Sequence, residues 1–540
     1  MMTYTILSIG PIYDTLQIAD NTRAIWSVSY MFSFLMKKTI EALKDKHKHN
    51  FLVPNIDKDF EAYLESGQKI GIFHDRLILK DDVAKDVNDA FTTAVNQLAD
   101  IVVAVFEKTR KENYTHVQIN FEETEVREFI EGYFQSYIAA VETEDGKNPI
   151  LELSKYVDAV EYEPKLAPYE EKEYLFLFLR LANLGLLKLE AFGEDASDTT
   201  KDRCFKSLPE ISAWELIKKN ADEWKQKYLC LKIEEMTNLK DPQSEAEEIL
   251  QKVKEEYPEE FKPYHNYVAI VHGDGDAFGK YLEHIGANEE KIRAFSNDIF
   301  TFITKARDII QNYGGYPIIG SGEDLLFFAP VIYEDKNIFT LISEIDCLFK
   351  SIFQDPLLSM SYGVSVTYYK FPLQEAMELS SSALWGKAKQ TKWVATTDKT
   401  KVLKEKNAVT ITIQKHSGQT HTLTLPKDTL LYIKFLKLLK QELNKDEDLH
   451  LPHSLHHSLS KIATLINSCD VQNIEPIFEN FFNEKIHKTK HKKALIAIEG
   501  ILKELKRKSK QPIWQKKGEE SAFDVVFSIL SVIKLLRGDR

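Results

Sequence analysis

Cysteine is scarce. The 540-residue chain has four, Cys204, Cys230, Cys347 and Cys469, far apart and with no C-x-x-C pair. That excludes a disulfide scaffold and a zinc ribbon, which needs two closely spaced pairs. Scattered reduced thiols in a cytoplasmic protein are the expectation. Long apolar runs are also missing. Residues 4–9 are apolar but too short for a secretory signal, and no basic segment precedes them. The strongest run, residues 174–192, is interrupted by Arg180, Asn183 and Lys188 and reads as a buried core helix, so no membrane partner is expected. No low-complexity tract occurs. Positive charge is in deficit: the formal net charge is −13, against non-specific coating of nucleic acid. One local run, Lys488, Lys490, Lys492, Lys493, Lys503, Lys506, Arg507, Lys508 and Lys510, reads first as a solvated helix face.

Hydrophobic residues make up 43% and charged residues 28%, with 31 Phe and 23 Tyr, enough to fill the cores of three or four folded domains. The periodicity predicts an α+β fold. Residues 1–121 read as strand, helix, two short strands (51–54 and 69–79), a helix over 82–108 and a strand over 115–121. That β-α-β-β-α-β order is ferredoxin-like. Residues 122–262 read as a mostly helical middle domain, with a capping box at Ser207-Leu-Pro-Glu210. Residues 263–425 repeat the βαββαβ order with an added helix (372–389) and strand. Residues 426–540 read as all-α.

The most informative segment is Val268-Ala-Ile-Val-His-Gly-Asp-Gly-Asp-Ala-Phe-Gly279. A calcium loop and a dinucleotide fingerprint both fail at Phe278. A Walker loop fails because Gly279-Lys280 is followed by Tyr281. What survives is a strand-end carboxylate pair for a hard divalent cation, Asp274 and Asp276, with the backbone of Gly275 between them. A second segment, Gly320-Ser-Gly-Glu-Asp324, lies between two strands. In a βαββ unit its tip faces the end of the first strand, so Glu323 and Asp324 are expected beside Asp274. Such a cluster recruits cations, and Mg²⁺ or Mn²⁺ with a triphosphate suits it. Gly320, Ser321 and Gly322 would let backbone amides approach phosphates. Ser381, Ser382 and Lys387, on the helix that follows, are the further nucleotide-binding expectations, with Lys387 preferred over Lys389. His272 reads as a satisfied strand-end histidine. His74-Asp75 has no matching His and Asp set around it, so a phosphohydrolase dyad is rejected.

Four segments in order carry a resemblance: Leu7-Ser-Ile-Gly-Pro-Ile-Tyr-Asp-Thr-Leu16 with Thr22-Arg-Ala-Ile-Trp-Ser-Val-Ser-Tyr30; Cys204-Phe-Lys-Ser-Leu-Pro-Glu-Ile211; His272-Gly-Asp-Gly-Asp276; and Gly320-Ser-Gly-Glu-Asp-Leu325. Together they resemble the large polymerase–cyclase subunit of type III-B (Cmr-type) CRISPR–Cas effector complexes. The resemblance implies two palm/cyclase domains, the second catalytic, with helical middle and C-terminal domains. It implies an assembly with other effector subunits, CRISPR guide RNA and target RNA. It implies an adenylyl transfer from ATP, switched on by target RNA, that makes a signalling nucleotide. The product is cyclic oligoadenylate or, in some relatives without the HD nuclease domain, AMP joined to S-adenosylmethionine. The family hairpin G-G-D-D is matched by Ser321-Gly322-Glu323-Asp324, so Glu323 replaces the usual Asp. Asp274 matches the strand-end metal ligand. The first palm begins at residue 3, so an amino-terminal HD domain is not expected. The first palm shows no acid pair after Ile9, so it is expected to bind nucleotide without catalysing. A catalytically weak scaffold that contacts RNA, and a free-standing nucleotide cyclase, are the alternatives.

Overall fold

The computed structural model describes residues 2–19, 21–65, 73, 75–111, 121–161, 174, 206–219, 250–397, 400–443, 455–482, 492–509 and 521–538. Expectations for 66–72 and 112–120, and for most of the middle domain, therefore lie outside the described residues.

Two sheets organise the chain. The first comprises β1 (Met2–Gly10), β2 (Phe51–Val53), β3 (Arg76–Lys80) and β4 (Gln135–Thr143), in the order β2-β3-β1-β4. Helices α1 (Thr22–His47), α2 (Lys58–Glu65), α3 (Ala84–Lys111), α4 (Glu123–Tyr133) and α5 (Pro149–Glu161) surround it. The first sheet extends past the boundary expected at residue 121. The fourth strand comes from residues 135–143 and pairs with β1 along its whole length, from Met2↔Thr143 to Gly10↔Gln135. The pattern at 135–143 is weak because residues 135–139 are all half-buried and alternation is confined to the last four residues.

Local chemistry explains the long helices. The Asn21 side chain accepts from the Ala24 amide at 2.9 Å and starts α1, whose last turn carries Lys44, Lys46 and His47. Helix α3 is long and apolar enough to cross a membrane by length and composition, but its apolar stripe, Val87 to Phe106, is packed against α1 and the sheet. Ser207 and Glu210 form the expected capping box at the start of α6 (Leu208–Ser212), with the Ser207 amide donating to the Glu210 carboxylate at 2.7 Å.

The second sheet is built from β5 (Tyr267–Asp276), β6 (Tyr316–Ser321), β7 (Asp324–Pro330), β8 (Ser359–Tyr368), and two later strands. Its helices are α7 (Glu289–Asn312), α8 (Ile338–Ile352) and α9 (Leu373–Ser382). A π turn (Ala383–Lys387) and a 3₁₀ turn (Ala388–Gln390) continue α9. A separate hairpin, β9 (Lys392–Thr397) and β10 (Thr400–Glu405), precedes β11 (Ala408–Gln414) and β12 (Thr420–Pro426). The strand order is β12-β11-β8-β5-β7-β6. Its inner part, β6-β7-β5-β8, repeats the order of the first sheet: second, third, first, fourth. Helix α7 buries Ile292, Phe295, Ile299, Phe302, Ile303, Ala306 and Ile310, the three- and four-residue spacing of one helix face.

The two units share a core. Residues of α1 and α3 cluster with Ile318, Leu326 and Phe328 of the second sheet. The buried Ser29 hydroxyl donates to the Ile318 carbonyl at 2.6 Å, and Phe60 of α2 packs on Phe300 of α7 at 4.9 Å. Arg293 donates to the His49 and Phe51 carbonyls, and Lys80 pairs with Glu289 at 2.7 Å. Beyond residue 426 the described elements are helical. They include α10 (Leu430–Glu442), α11 (Lys492–Ser509) and α12 (Ala522–Arg537). In the basic run, Lys503 pairs with Glu475 and Glu499, Lys506 donates to the Asn467 carbonyl, and Arg507 lies beside Glu504. These three cations are thus partnered within the domain.

Candidate active site

Along β5 the side chains alternate. Ala269 and Val271 face α7 and α8, while Val268, Ile270, His272, Asp274 and Asp276 share the opposite face. Helix α9 lies on that opposite face. The Ser365 hydroxyl donates to the Ala376 carbonyl, and His272 Nδ1 and Ser380 Oγ are 2.8 Å apart. Burial pushes the His272 pKa down to about 4, so the ring is neutral. It is a satisfied histidine, as its place at the strand end suggests.

Gly275 is there for space. A Cβ on it would lie 2.0 Å from the Phe278 ring and 2.7 Å from the Glu323 Cβ. The absence of a side chain lets the hairpin tip close over the end of β5. Gly322 turns the tip with φ +61°. The register puts Gly273 opposite Leu325, so the next rung outward places Asp274 opposite Asp324. Asp274, Glu323 and Asp324 therefore converge. Asp274 is buried and the two hairpin acids are half-buried.

The electrostatics record that convergence. Burial, opposed by Lys389, raises the Asp274 pKa. Burial and the neighbouring Asp274 and Asp75 raise Glu323. Burial with Glu323, Asp274 and Asp75 raises Asp324 well above the usual carboxylate range. Asp75 comes from the first palm, at the residue just before β3. His74 is outside the described residues, and the rejected dyad hid an acid that reaches the second palm across the interface. Only tertiary contact reveals it.

The lysine at the site is Lys389, not Lys387. Its ammonium contacts the Asp274 carboxylate, donates to Asp276 Oδ1 at 2.7 Å and to the Gly275 carbonyl at 2.7 Å, and is buried. Lys387 and Ser382 are exposed and Ser381 is half-buried. The π turn explains the correction. It inserts one extra residue into the helical turn, so the register that points residue 387 inward on a regular helix is shifted. The residues of this segment that reach the strand are Ser380 and Lys389.

Asp276 is held by several donors. It accepts from Ser359 Oγ at 2.9 Å, Ser361 Oγ at 2.8 Å and the Asn407 amide at 3.0 Å, besides Lys389. Three of these donors crowd onto Oδ2 and only Lys389 bonds Oδ1, so Asp276 braces the end of β5 while its Oδ1 keeps a second lone pair. The brace continues outward. Lys406 and Asn407 form a left-handed turn, the Lys427 amide donates to the Asn407 carbonyl, and Lys427 pairs with Asp346 at 2.6 Å. Packing alone already requires a glycine at 320, since a Cβ there would meet Ile303 of α7 at 2.8 Å.

An all-oxygen donor set of crowded carboxylates with raised pKa values suits a hard divalent cation. Asp274, Asp324 and the Gly275 carbonyl are the groups that would hold it. Among the described residues no three His, Cys, Asp or Glu side chains are spaced as metal ligands, so the convergence of Asp274, Glu323 and Asp324 is one of neighbouring charges. The Lys389 ammonium supplies the local positive charge instead.

Two family models match the chain. Residues 4–132 match CRISPR-associated protein Cmr2, N-terminal, and residues 267–395 match Cas10/Cmr2, second palm domain. No curated protein matches in sequence. Among solved structures, the chain is similar to a type III-B Cmr-beta complex in the apo state, with 12% identity and a TM-score of 0.62, covering 100% of this chain and 82% of the other. The same assembly bound to cognate target RNA matches with 11% identity and a TM-score of 0.64, covering 100% and 83%. At that identity these two matches establish a shared fold, in agreement with the α+β architecture. The two matched segments fall in order along the chain, so residues 4–132 are similar to the Cmr2 N-terminal module and residues 267–395 to the second palm domain of the Cas10/Cmr2 large subunits of CRISPR effector complexes.

Proposed function

We propose that the chain is the large subunit of a cytoplasmic type III-B effector complex. It would bind the other subunits and the guide and target RNA, and transfer adenylyl groups from ATP when target RNA is bound. The observation that carries this reading is the convergence of Asp274, Glu323 and Asp324 at the end of β5, with Lys389 beneath them. The similar Cmr-beta structures include one bound to cognate target RNA, which supports the RNA partner.

The reaction needs an acceptor ribose hydroxyl, a donor triphosphate and a way to offset charge. The acceptor 3′-oxygen attacks the α-phosphorus of ATP. A new P–O bond forms, the bond to pyrophosphate breaks, and the hydroxyl proton leaves to a nearby base or water. A divalent cation at Asp274 and Asp324 would supply Lewis-acid activation of the hydroxyl and offset charge on the phosphates. The chain's own groups set the geometry. Asp276 fixes the end of β5, Gly275 lets the hairpin close, and Lys389 is placed to turn from the carboxylates to an incoming triphosphate. Glu323 keeps the charge of the usual aspartate with a longer reach. The acceptor is a second ATP, giving cyclic oligoadenylate, or S-adenosylmethionine, giving its AMP adduct.

The test uses the assembled complex with guide RNA and matching target RNA, Mg²⁺ or Mn²⁺, and ATP with and without S-adenosylmethionine. Products are identified by mass spectrometry. Oligoadenylate from ATP alone, or an adduct that needs both substrates, is the expected result. No product under either condition, with target RNA still bound, would replace this reading by a scaffold.

A further inference from the structure

The Lys389 ammonium sits in a nest of four oxygens at the end of β5. They are the Asp274 carboxylate, the Asp274 carbonyl at 3.2 Å, the Gly275 carbonyl at 2.7 Å and Asp276 Oδ1 at 2.7 Å. An ammonium carries three donors and no acceptor, so this nest satisfies it fully. Asp274 and the Gly275 carbonyl are also groups that would hold a divalent ion. Two cations a few ångströms apart, away from bulk water, repel strongly. Lys389 and the ion therefore compete for one set of oxygens.

The ammonium also has a way out. The side chains of Lys389, Asp276 and Asp274 are 4%, 4% and 11% exposed, so the pair is held from water. Beside it, however, the Trp385 ring is 50% exposed and its centroid lies 5.7 Å from the ammonium. A short swing of the flexible lysine stem past that ring would carry the charge to the surface. Departure into water alone is a poor exchange, because it leaves buried carboxylates unpaired. A divalent ion entering with a triphosphate meets both needs. The ion takes over the carboxylates, and the phosphates take the ammonium.

We propose that Lys389 is a built-in counter-ion that shuts the acid site to a lone divalent cation and yields it to a cation arriving with a triphosphate. This rests on the adenylyl-transfer reading above and adds an order of assembly to it: ion and nucleotide enter as one unit.

The experiment reads Mn²⁺ binding to the full-length chain, free of RNA, by electron paramagnetic resonance. Asp274→Asn gives the background from surface acids. The nucleotide is α,β-methylene-ATP, which keeps a triphosphate but cannot release pyrophosphate. In the wild type, Mn²⁺ alone binds at least about tenfold more weakly than Mn²⁺ complexed with the analogue. Lys389→Met keeps the stem and removes the charge. It tightens the binding of Mn²⁺ alone roughly tenfold to a hundredfold, the span of an ordinary coupling between sites, and narrows the gap to the complexed ion to about threefold. Lys389→Arg keeps the charge and stays within about threefold of wild type for Mn²⁺ alone. A merely structural role for Lys389 predicts the reverse, weaker Mn²⁺ binding to a disturbed site. A second readout needs no variant. Acetylation of Lys389 by acetic anhydride, followed by peptide mass spectrometry, is slow in the wild type and speeds up once excess Mn²⁺ displaces the ammonium. Unchanged or weaker Mn²⁺ binding in Lys389→Met, or acetylation indifferent to Mn²⁺, overturns the proposal. No turnover is read, so a wild-type complex that forms no product would sink the transfer reading and leave these measurements standing.

Discussion

The two sheets have one strand order and two chemistries. At the end of β5, a glycine without room for a methyl group brings a carboxylate hairpin against two strand-end acids. At the end of β1, the corresponding rungs are Ser8 and Arg76, and a helix, α2, is spliced between β2 and β3. The backbone plan therefore specifies where chemistry can sit, and the side chains at three or four rungs decide which kind. Among the described residues, the second sheet is the one that gathers neighbouring carboxylates with raised pKa values at a strand end.

That contrast can be broken most severely at the acids. Asp324→Ala or Asp274→Ala in the assembled complex should lower product formation by a factor of about 10³ or more while RNA binding and assembly persist, since in the proposed reaction both would hold the ion that offsets charge on the phosphate. Quantified product and native mass spectrometry check the two halves of the statement. Next comes Gly363→Ala. Its Cβ would lie 2.1 Å from the Ser380 carbonyl, so α9 must move off β8 and carry Lys389 with it. A loss of about 3 kcal/mol in denaturant unfolding, and a comparable loss of activity, are expected.

Lys389→Ala against Lys387→Ala sharpens the comparison. The first should cost about 10²-fold in activity and leave buried carboxylates unpaired, a destabilisation of about 3 kcal/mol. The second should stay within about twofold, as for an ordinary surface change. Mg²⁺ should raise the Tm of Lys389→Ala more than that of wild type, because the ion takes over the charge the ammonium supplied. An equal Tm gain in both would show that Lys389 does not compensate the acid pair. The smallest effect belongs to Glu323→Asp. It restores the family's usual residue without changing charge, and product formation should remain within about threefold.

The features that were legible in the sequence are those written in local pattern. The strand ending in Asp274 and Asp276, the glycine-rich hairpin, and the helix faces of α1, α3 and α7 each show a period or a turn signal. Three features were not, each for a physical reason. The fourth strand of the first sheet is half-buried over residues 135–139 and alternates only over its last four residues, too short a stretch to read as a strand. The lysine that reaches the acids lies two positions beyond the favoured one because a π turn changes the count. Asp75 approaches Glu323 and Asp324 only through packing between units more than 240 residues apart, which no local pattern encodes. Asp276, expected as a ligand, shares its strand face with Asp274, but the turn at 406–407 brings a donor that the local pattern does not announce.

The shared packing of α1 against β6, with the Ser29 hydroxyl locked on the Ile318 carbonyl, has a consequence for control. Two lobes that own separate cores can swing apart like a clamshell, and a signal can open or shut them cheaply. Here, parting the lobes would expose a continuous greasy seam to water, so rigid-body opening is a poor throttle. A trigger such as RNA docking would have to work as a latch at the rim. The 406–407 turn, wired to Asp276 on one side and to Lys427 and Asp346 on the other, is where such a latch would find a handle on an otherwise stiff frame.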